Sequence, residues 1–136
     1  MSQRWSVEVS FEEAEVLRRR AQAFLRNAER LIEEGEYDLA VFNLEQYCQL
    51  ILKYRLLVAK GSYPRAHFLR RLIRELGEAD RRALVLVDDV RNLHYIARLE
   101  EAYIASRYHP ISYEDAEARD LMKFVKEVFK RVIEGV

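Results

Sequence analysis

From Ala14 to Ile32 the apolar side chains fall three and four residues apart, as Ala14, Leu17, Ala21, Phe24, Leu25, Ala28, Leu31 and Ile32. On a helix they form one stripe, with Arg18, Arg19, Arg26 and Arg30 mostly outside it. The same period returns along the chain and leaves little room for strands. Tyr37, Val41, Leu44, Cys48, Ile51, Arg55 and Val58 trace a second helical line over about Tyr37 to Lys60, with Ala40, Tyr47, Leu52 and Leu56 beside it. Phe68, Leu69, Leu72, Ile73 and Leu76 predict a short third helix before Gly77. A fourth, from about Asp80 to Ser106, would span about 40 Å and is expected to bend or fray. Leu121, Met122, Val125, Val128, Phe129 and Val132 set the apolar face of a fifth.

The punctuation agrees with this reading. Only 4 Gly and 2 Pro occur, too little turn chemistry for a many-stranded sheet. Gly35 ends the first helix, Gly61 the second, and Ser62, Tyr63 and Pro64 make the turn that follows. His109 and Pro110 break the fourth. Ser10 with Glu13, and Ser112 with Asp115, have the spacing at which two side chains satisfy the free amides of a first helical turn. Trp5, Val7 and Val9 alternate with polar neighbours, so residues 1–10 are expected to form an extended arm and residues 11–136 the folded domain. The expected fold is all-α: an up-and-down antiparallel bundle of about five helices, since short turns favour antiparallel neighbours. The second and fourth helices carry apolar residues on more than one side. A homodimer is expected to bury the excess, with a central position inside the monomer as the alternative.

Charge and composition limit the function classes. Lys and Arg total 23 against 23 Asp and Glu, so no net field draws the whole molecule to nucleic acid or acidic lipid; binding must come from a local patch. The lone Cys48 cannot form an internal disulfide, which suits a reducing, cytoplasmic setting, and no His or Cys cluster has metal-ligand spacing. No leader pattern and no membrane-length apolar run is present. Arginine dominates the basic residues, a bias that accompanies heat-resistant ion-pair networks, so a thermophilic source is an expectation.

Four groups of residues carry chemistry worth weighing. Arg91, His94, Arg98 and Glu101 succeed one another at three or four residues and share a helix face. Two guanidiniums beside an imidazole suit phosphate oxygens, although pairing with Asp88 and Glu101 would make the same face a solvated one. Arg107, Tyr108, His109 and Pro110 bring a cation, a phenol and an imidazole to a chain reversal, where cations also complement exposed helix carbonyls. His67 opens the third helix near Arg65, Arg70 and Arg71, a place where histidine more often packs or caps. Glu45, Gln49 and Lys53, with Gln46 alongside, form a polar line on the second helix that suits a partner, a nucleotide or an exposed charge ladder. There is no Gly-rich phosphate loop, no metal-spaced histidine pair and no nucleophile elbow. No metal or cofactor is expected.

Segments across the chain resemble the HEPN family, the higher eukaryote and prokaryote nucleotide-binding domains. They are AQAFLRNAERLIEEGEY at Ala21 to Tyr37, NLEQYCQLILKYRLL at Asn43 to Leu57, HFLRRLIREL at His67 to Leu76, and EAYIASRYHP at Glu101 to Pro110. The quoted segments run from Ala21 to Pro110, within a resemblance that covers about Phe11 to Val132. The resemblance implies a helical bundle, commonly dimeric, with one of three roles: nucleotide binding, partnership with a minimal nucleotidyltransferase in a toxin and antitoxin pair, or metal-independent RNA cleavage. The cleaving members have an arginine, then four to six residues, then a histidine, which puts the arginine five to seven positions before the histidine. Lys60, Gly61 and Ser62 stand at those positions before His67, Val87, Asp88 and Asp89 before His94, and Ala102, Tyr103 and Ile104 before His109. Arg91 is separated from His94 by two residues only. The expected function is therefore a non-enzymatic, homodimeric HEPN domain that binds a nucleotide, RNA phosphate or a nucleotidyltransferase through Arg91, His94, Arg98, Arg107 and Tyr108. An endoribonuclease in which His94 moves a proton and Arg91 with Arg98 stabilises charge is the second reading, and a purely structural adaptor the third.

Overall fold

The structure, a computed structural model, describes residues 6–105 and 112–135. The stripe on the first helix, α1 (Ser6–Glu33), buries Ala14, Ala21, Leu25, Ala28, Leu31 and Ile32 against α2 (Tyr37–Lys60). Gly35 turns the chain with a φ of 79°, a left-handed conformation in which a Cβ is strained. The Gly35 amide donates to the Ile32 carbonyl at 3.0 Å and the Glu36 amide to that of Leu31 at 2.9 Å, satisfying carbonyls at the end of α1. So short a link makes the two helices antiparallel neighbours.

α2 is the centre of the molecule. Its buried positions run all around it: Ala40, Val41, Leu44, Tyr47, Cys48, Ile51, Leu52 and Leu56 are fully enclosed. It packs against α1, α3 (Leu69–Gly77), α5 (Val90–Ala105), α6 (Asp115–Phe124) and α7 (Lys130–Glu134). Most of the apolar excess of the second helix is thus buried within one chain, the alternative to a dimer that the sequence left open, although Leu39 and Val58 stay 51% and 59% exposed. Burial pushes the Cys48 thiol well above its ordinary pKa and leaves it a packing group.

Three expectations about the elements change. Residues 6–10 are not part of an extended arm, because Ser6 to Ser10 belong to α1, so the helix does not start at the expected Ser10 and Glu13 pair; Met1 to Trp5 lie outside the described residues. Once a helix exists, each added residue gains a backbone hydrogen bond, and the β-branched Val7 and Val9 oppose this only weakly. The long fourth helix is divided into a 3-10 turn (Arg81–Leu84), α4 (Val85–Asp88) and α5. Asp89 breaks it with extended backbone (φ −84°, ψ 122°). Its Oδ1 then accepts the Asn92 amide at 3.0 Å and so caps α5, as a short carboxylate does well. The fifth expected helix begins at Asp115 with Glu114 as its cap residue and no side-chain cap, so the Ser112 and Asp115 pair is not used.

Between α6 and α7 lies a π turn, Val125–Phe129. Leu121, Val125, Phe129 and Ile133 are all buried and stand four residues apart. On a regular helix that spacing drifts about 40° per step. The wider π turn takes up the drift and keeps the line on the core, where the Phe129 ring meets Tyr47 edge-on at 6.0 Å. No strand occurs among the described residues, and none of their helices is long and apolar enough to cross a membrane.

Candidate functional site

The break at Asp89 fixes the rotation of α5 and so decides which of its side chains meet α6. Arg91, His94, Tyr95 and Arg98 from α5 line an open groove of about 370 Å³ with Glu117, Asp120 and Leu121 from α6. Arg91, His94 and Arg98, grouped from spacing alone, do share this surface. Arg107 and Tyr108, with His109 and Pro110, lie outside the described residues.

Arg98 is committed to neighbours. Its Nε donates to Glu117 Oε2 at 2.7 Å, its Nη1 donates to Glu101 Oε1 at 2.6 Å, and its guanidinium carbon lies 4.3 Å over the Tyr113 ring. Glu117 is held below its usual carboxylate range, chiefly by that hydrogen bond. Tyr113 is buried, so loss of solvation pushes its hydroxyl up to about 12 although Arg98 opposes the change. Its hydroxyl donates to the Arg98 carbonyl at 3.3 Å, and its backbone amide donates to Asp38 of α2 at 2.9 Å. Arg98 therefore works as a clamp among α5, α6 and the segment before α6.

The rest of the groove is differently occupied. Tyr95 stacks on Phe124 at 4.6 Å and donates to Asp120 Oδ2 at 2.8 Å, a bond that raises its pKa while nearby Arg91 lowers it. Asp120 Oδ1 keeps free acceptor capacity, and Arg91 makes no ion pair among the described residues. Arg91 and His94 are both exposed at the rim. The groove thus offers a cation and an imidazole beside a carboxylate acceptor. Tyr95 and Asp120 were not singled out in the sequence; they join the site only through the packing of two distant helices.

The structure also joins two groups that spacing left separate. Gln49 Nε2 donates to Glu45 Oε2 at 2.7 Å, which leaves its Oε1 to accept from His67 Nδ1 at 3.3 Å and from Lys53 Nζ at 3.4 Å. The His67 ring stacks on Tyr103 of α5 at 5.4 Å, and Lys53 lies 5.6 Å over the Tyr63 ring. Gln46 supplies Glu45 with a second donor at 2.8 Å. Glu45 is fully buried, and desolvation pushes it up to about 7 despite these amides and Lys53, with Glu100 adding to the rise. This polar line is a network that is buried at Glu45 and Gln49 and reaches the surface at Lys53 and His67, not a solvated ladder throughout. Its members satisfy one another, and among the described residues no group of His, Cys, Asp and Glu is placed to hold a metal.

The helical topology and these clusters coincide with a family assignment. The family model described as HEPN domain matches residues 14–136, which include every helix from the body of α1 to α7. No individual curated protein matches the chain significantly. With nearly its full length matched, the chain belongs to the HEPN domain family.

Proposed function

We propose that this HEPN domain is a non-catalytic nucleotide-binding module whose ligand lies in the groove between α5 and α6. Family membership points to a nucleotide- or RNA-related role. The observation that carries the finer reading is the mixed character of the groove. Arg91 forms no ion pair among the described residues and interacts with the Tyr95 hydroxyl, while Asp120, bonded to that same hydroxyl through Oδ2, retains an acceptor. A guanidinium fork suits phosphate oxygens, and a carboxylate oxygen suits a ribose hydroxyl or base amine. A nucleotide offers both, whereas a bare polyanion would be repelled by Asp120. Arg91 and His94 are the contacts and Arg98 fixes α5 against α6 beside them, while Arg107 and Tyr108, outside the described residues, are proposed to add a further hold on the anion and a stacking or hydrogen-bonding ring.

The domain is further proposed to act as a homodimer beside a minimal nucleotidyltransferase, as in toxin and antitoxin pairs. What supports a second copy is the outward line of α5, where Val90 is 67% and Ile104 is 41% exposed. Titration of the protein with nucleoside mono- and triphosphates tests the main reading. Arg91→Ala is expected to weaken binding about tenfold or more, the worth of one charge-assisted hydrogen bond, with unchanged thermal stability. Arg98→Ala is expected to lower the melting temperature as well, because Glu117 and Tyr113 lose their partner. The same samples incubated with labelled RNA separate the nuclease reading: cleavage that disappears in His94→Ala would replace the non-catalytic one.

A further inference from the structure

On the opposite side of α5 a second groove opens, of about 420 Å³, lined by Phe68, Arg70, Arg71, Arg74 and Glu100. Arg98 and Glu100 are two residues apart, which turns them about 200° from each other on a helix. Arg98 accordingly meets α6 while Glu100 meets α3. This groove is therefore separate from the nucleotide groove.

Its charge balance is also different. Arg70, Arg74 and Arg71 stand at four- and three-residue spacings on α3, so their guanidiniums share one face. The single carboxylate of the groove, Glu100, is 3% exposed and is spent on Arg70. Its Oε2 accepts the Arg70 backbone amide at 2.9 Å, and its Oε1 accepts Arg70 Nε at 2.9 Å and Nη2 at 2.6 Å. Arg70 is thereby held rigid, with Nη1 left unpartnered among the described residues. Arg71 and Arg74 are exposed and form no ion pair among the described residues. Glu75, the acid nearest to them in sequence, is bonded to Lys60 at 2.8 Å. Three arginines thus face one buried, occupied carboxylate, and no other carboxylate among the described residues lines the groove to repel a polyanion. At the N-cap of α3, Phe68 leaves 49% of its surface exposed beside them.

The geometry points to a second binding site on this α3 face: Arg70, Arg71 and Arg74 hold successive phosphates of a single-stranded nucleic acid, and Phe68 stacks one of its bases. Guanidinium forks match phosphate oxygens, and a pre-fixed one loses less freedom on binding. An aromatic ring at the edge of a basic groove selects strands whose bases are unstacked, since a duplex keeps its faces covered. Three neutralised phosphates set a salt dependence with a log–log slope of about −2 for a single strand.

Fluorescence anisotropy with a labelled single-stranded RNA oligonucleotide, its duplex and polyglutamate, across a salt series, tests the assignment. The wild-type protein is expected to bind the strand with a slope near −2 and the duplex more weakly. Arg71→Ala with Arg74→Ala, both exposed sites, is expected to reduce the slope by about 1.4 and the low-salt affinity more than tenfold, with melting and nucleotide binding unchanged. Phe68→Ala is expected to weaken the strand alone and leave the slope as it was. Arg91→Ala separates the two grooves, because it affects the nucleotide and not the strand. Absence of strand binding at low salt, or strand binding unaltered by the double substitution, overturns the site. Equal affinity for polyglutamate overturns it in favour of an acidic protein.

Discussion

Glu45 is the residue at which burial most changes ordinary chemistry. In an unfolded chain its carboxyl takes up a proton near 4.5, whereas in the folded protein desolvation moves that point to about 7. Between these values the native state binds more protons than the unfolded state, so stability falls as pH rises. The contribution is fully present below pH 4.5 and is lost by the time pH has passed 7, an expected swing of about 3 kcal/mol. Glu45→Gln keeps an acceptor for the neighbouring amides but has no proton to gain. The variant is therefore expected to match or exceed wild-type stability at pH 8 and to lack the downward slope across the window. Urea denaturation at a series of pH values reads this directly; parallel curves would show that Glu45 ionises inside the fold without cost. The sequence placed Glu45, Gln49 and Lys53 on one line but not inside the protein. An acid four residues from an amide reads equally as a solvent ladder, and what brings Glu45 inside is the packing of α2 among the other helices, with Glu100 of α5, far along the chain, close enough to raise its pKa further. Arg98 shows the same limit: its place on one helix face with Arg91 and His94 was legible, while its capture by Glu117 depends on a residue nineteen positions on, in another helix.

At the scale of elements, glycine acts here by two different mechanisms. Gly35 and Gly61 terminate α1 and α2 with φ values of 79° and 81°, and both ends were legible because a left-handed residue after a periodic run is usually glycine. Gly77 was read as the same kind of stop, yet its backbone is not left-handed; it is the last residue of α3 and its role is steric. A Cβ there would come within 2.3 Å of Leu84 Cδ2 and 2.7 Å of its Cγ, so the whole Leu84 side chain would have to move. Gly77→Ala is expected to push the 3-10 turn away from α3 and to destabilise by about 1–3 kcal/mol in chemical denaturation. Leu84→Ala placed in the same chain is expected to recover part of that loss, since it removes the clashing atoms. Additive losses in the double variant would show that helix conformation, not the contact, demands the glycine. A bend in the long fourth helix was expected, but its position at Asp89 and the existence of the π turn escaped sequence reading for a shared reason. Both lie inside runs whose apolar period continues unbroken, and only packing reveals that the helix axis changes.

For the whole molecule, the position of α2 changes what a dimer would need. Most of its apolar surface is already enclosed by α1, α3, α5, α6 and α7, and only Leu39 and Val58 remain among its strongly exposed large apolar side chains, near opposite ends of the helix. The outward line of α5 is left: Val90, His94, Ala97, Glu101 and Ile104 follow at alternating steps of four and three, the spacing of a helix-pairing seam. Read in the reverse direction, the line is complementary to itself. A two-fold axis at Ala97 sets Val90 opposite Ile104 of the partner subunit and His94 opposite the partner's Glu101, as an isologous contact demands. The proposed homodimer is therefore expected to pair through α5 in antiparallel fashion, with the nucleotide groove running beside the seam. In analytical ultracentrifugation Val90→Glu with Ile104→Glu is expected to sediment as a monomer of unchanged helicity, because both sites are exposed in the single chain. His94→Glu places like charges across the axis and is expected to weaken association about tenfold or more, and Glu101→Lys in the same chain is expected to restore it. A dimer indifferent to these changes would move the contact away from α5. A wild-type chain that stays monomeric at all concentrations would show instead that the exposed valine and isoleucine await a different protein, for which the nucleotidyltransferase of the proposed module is the first to add.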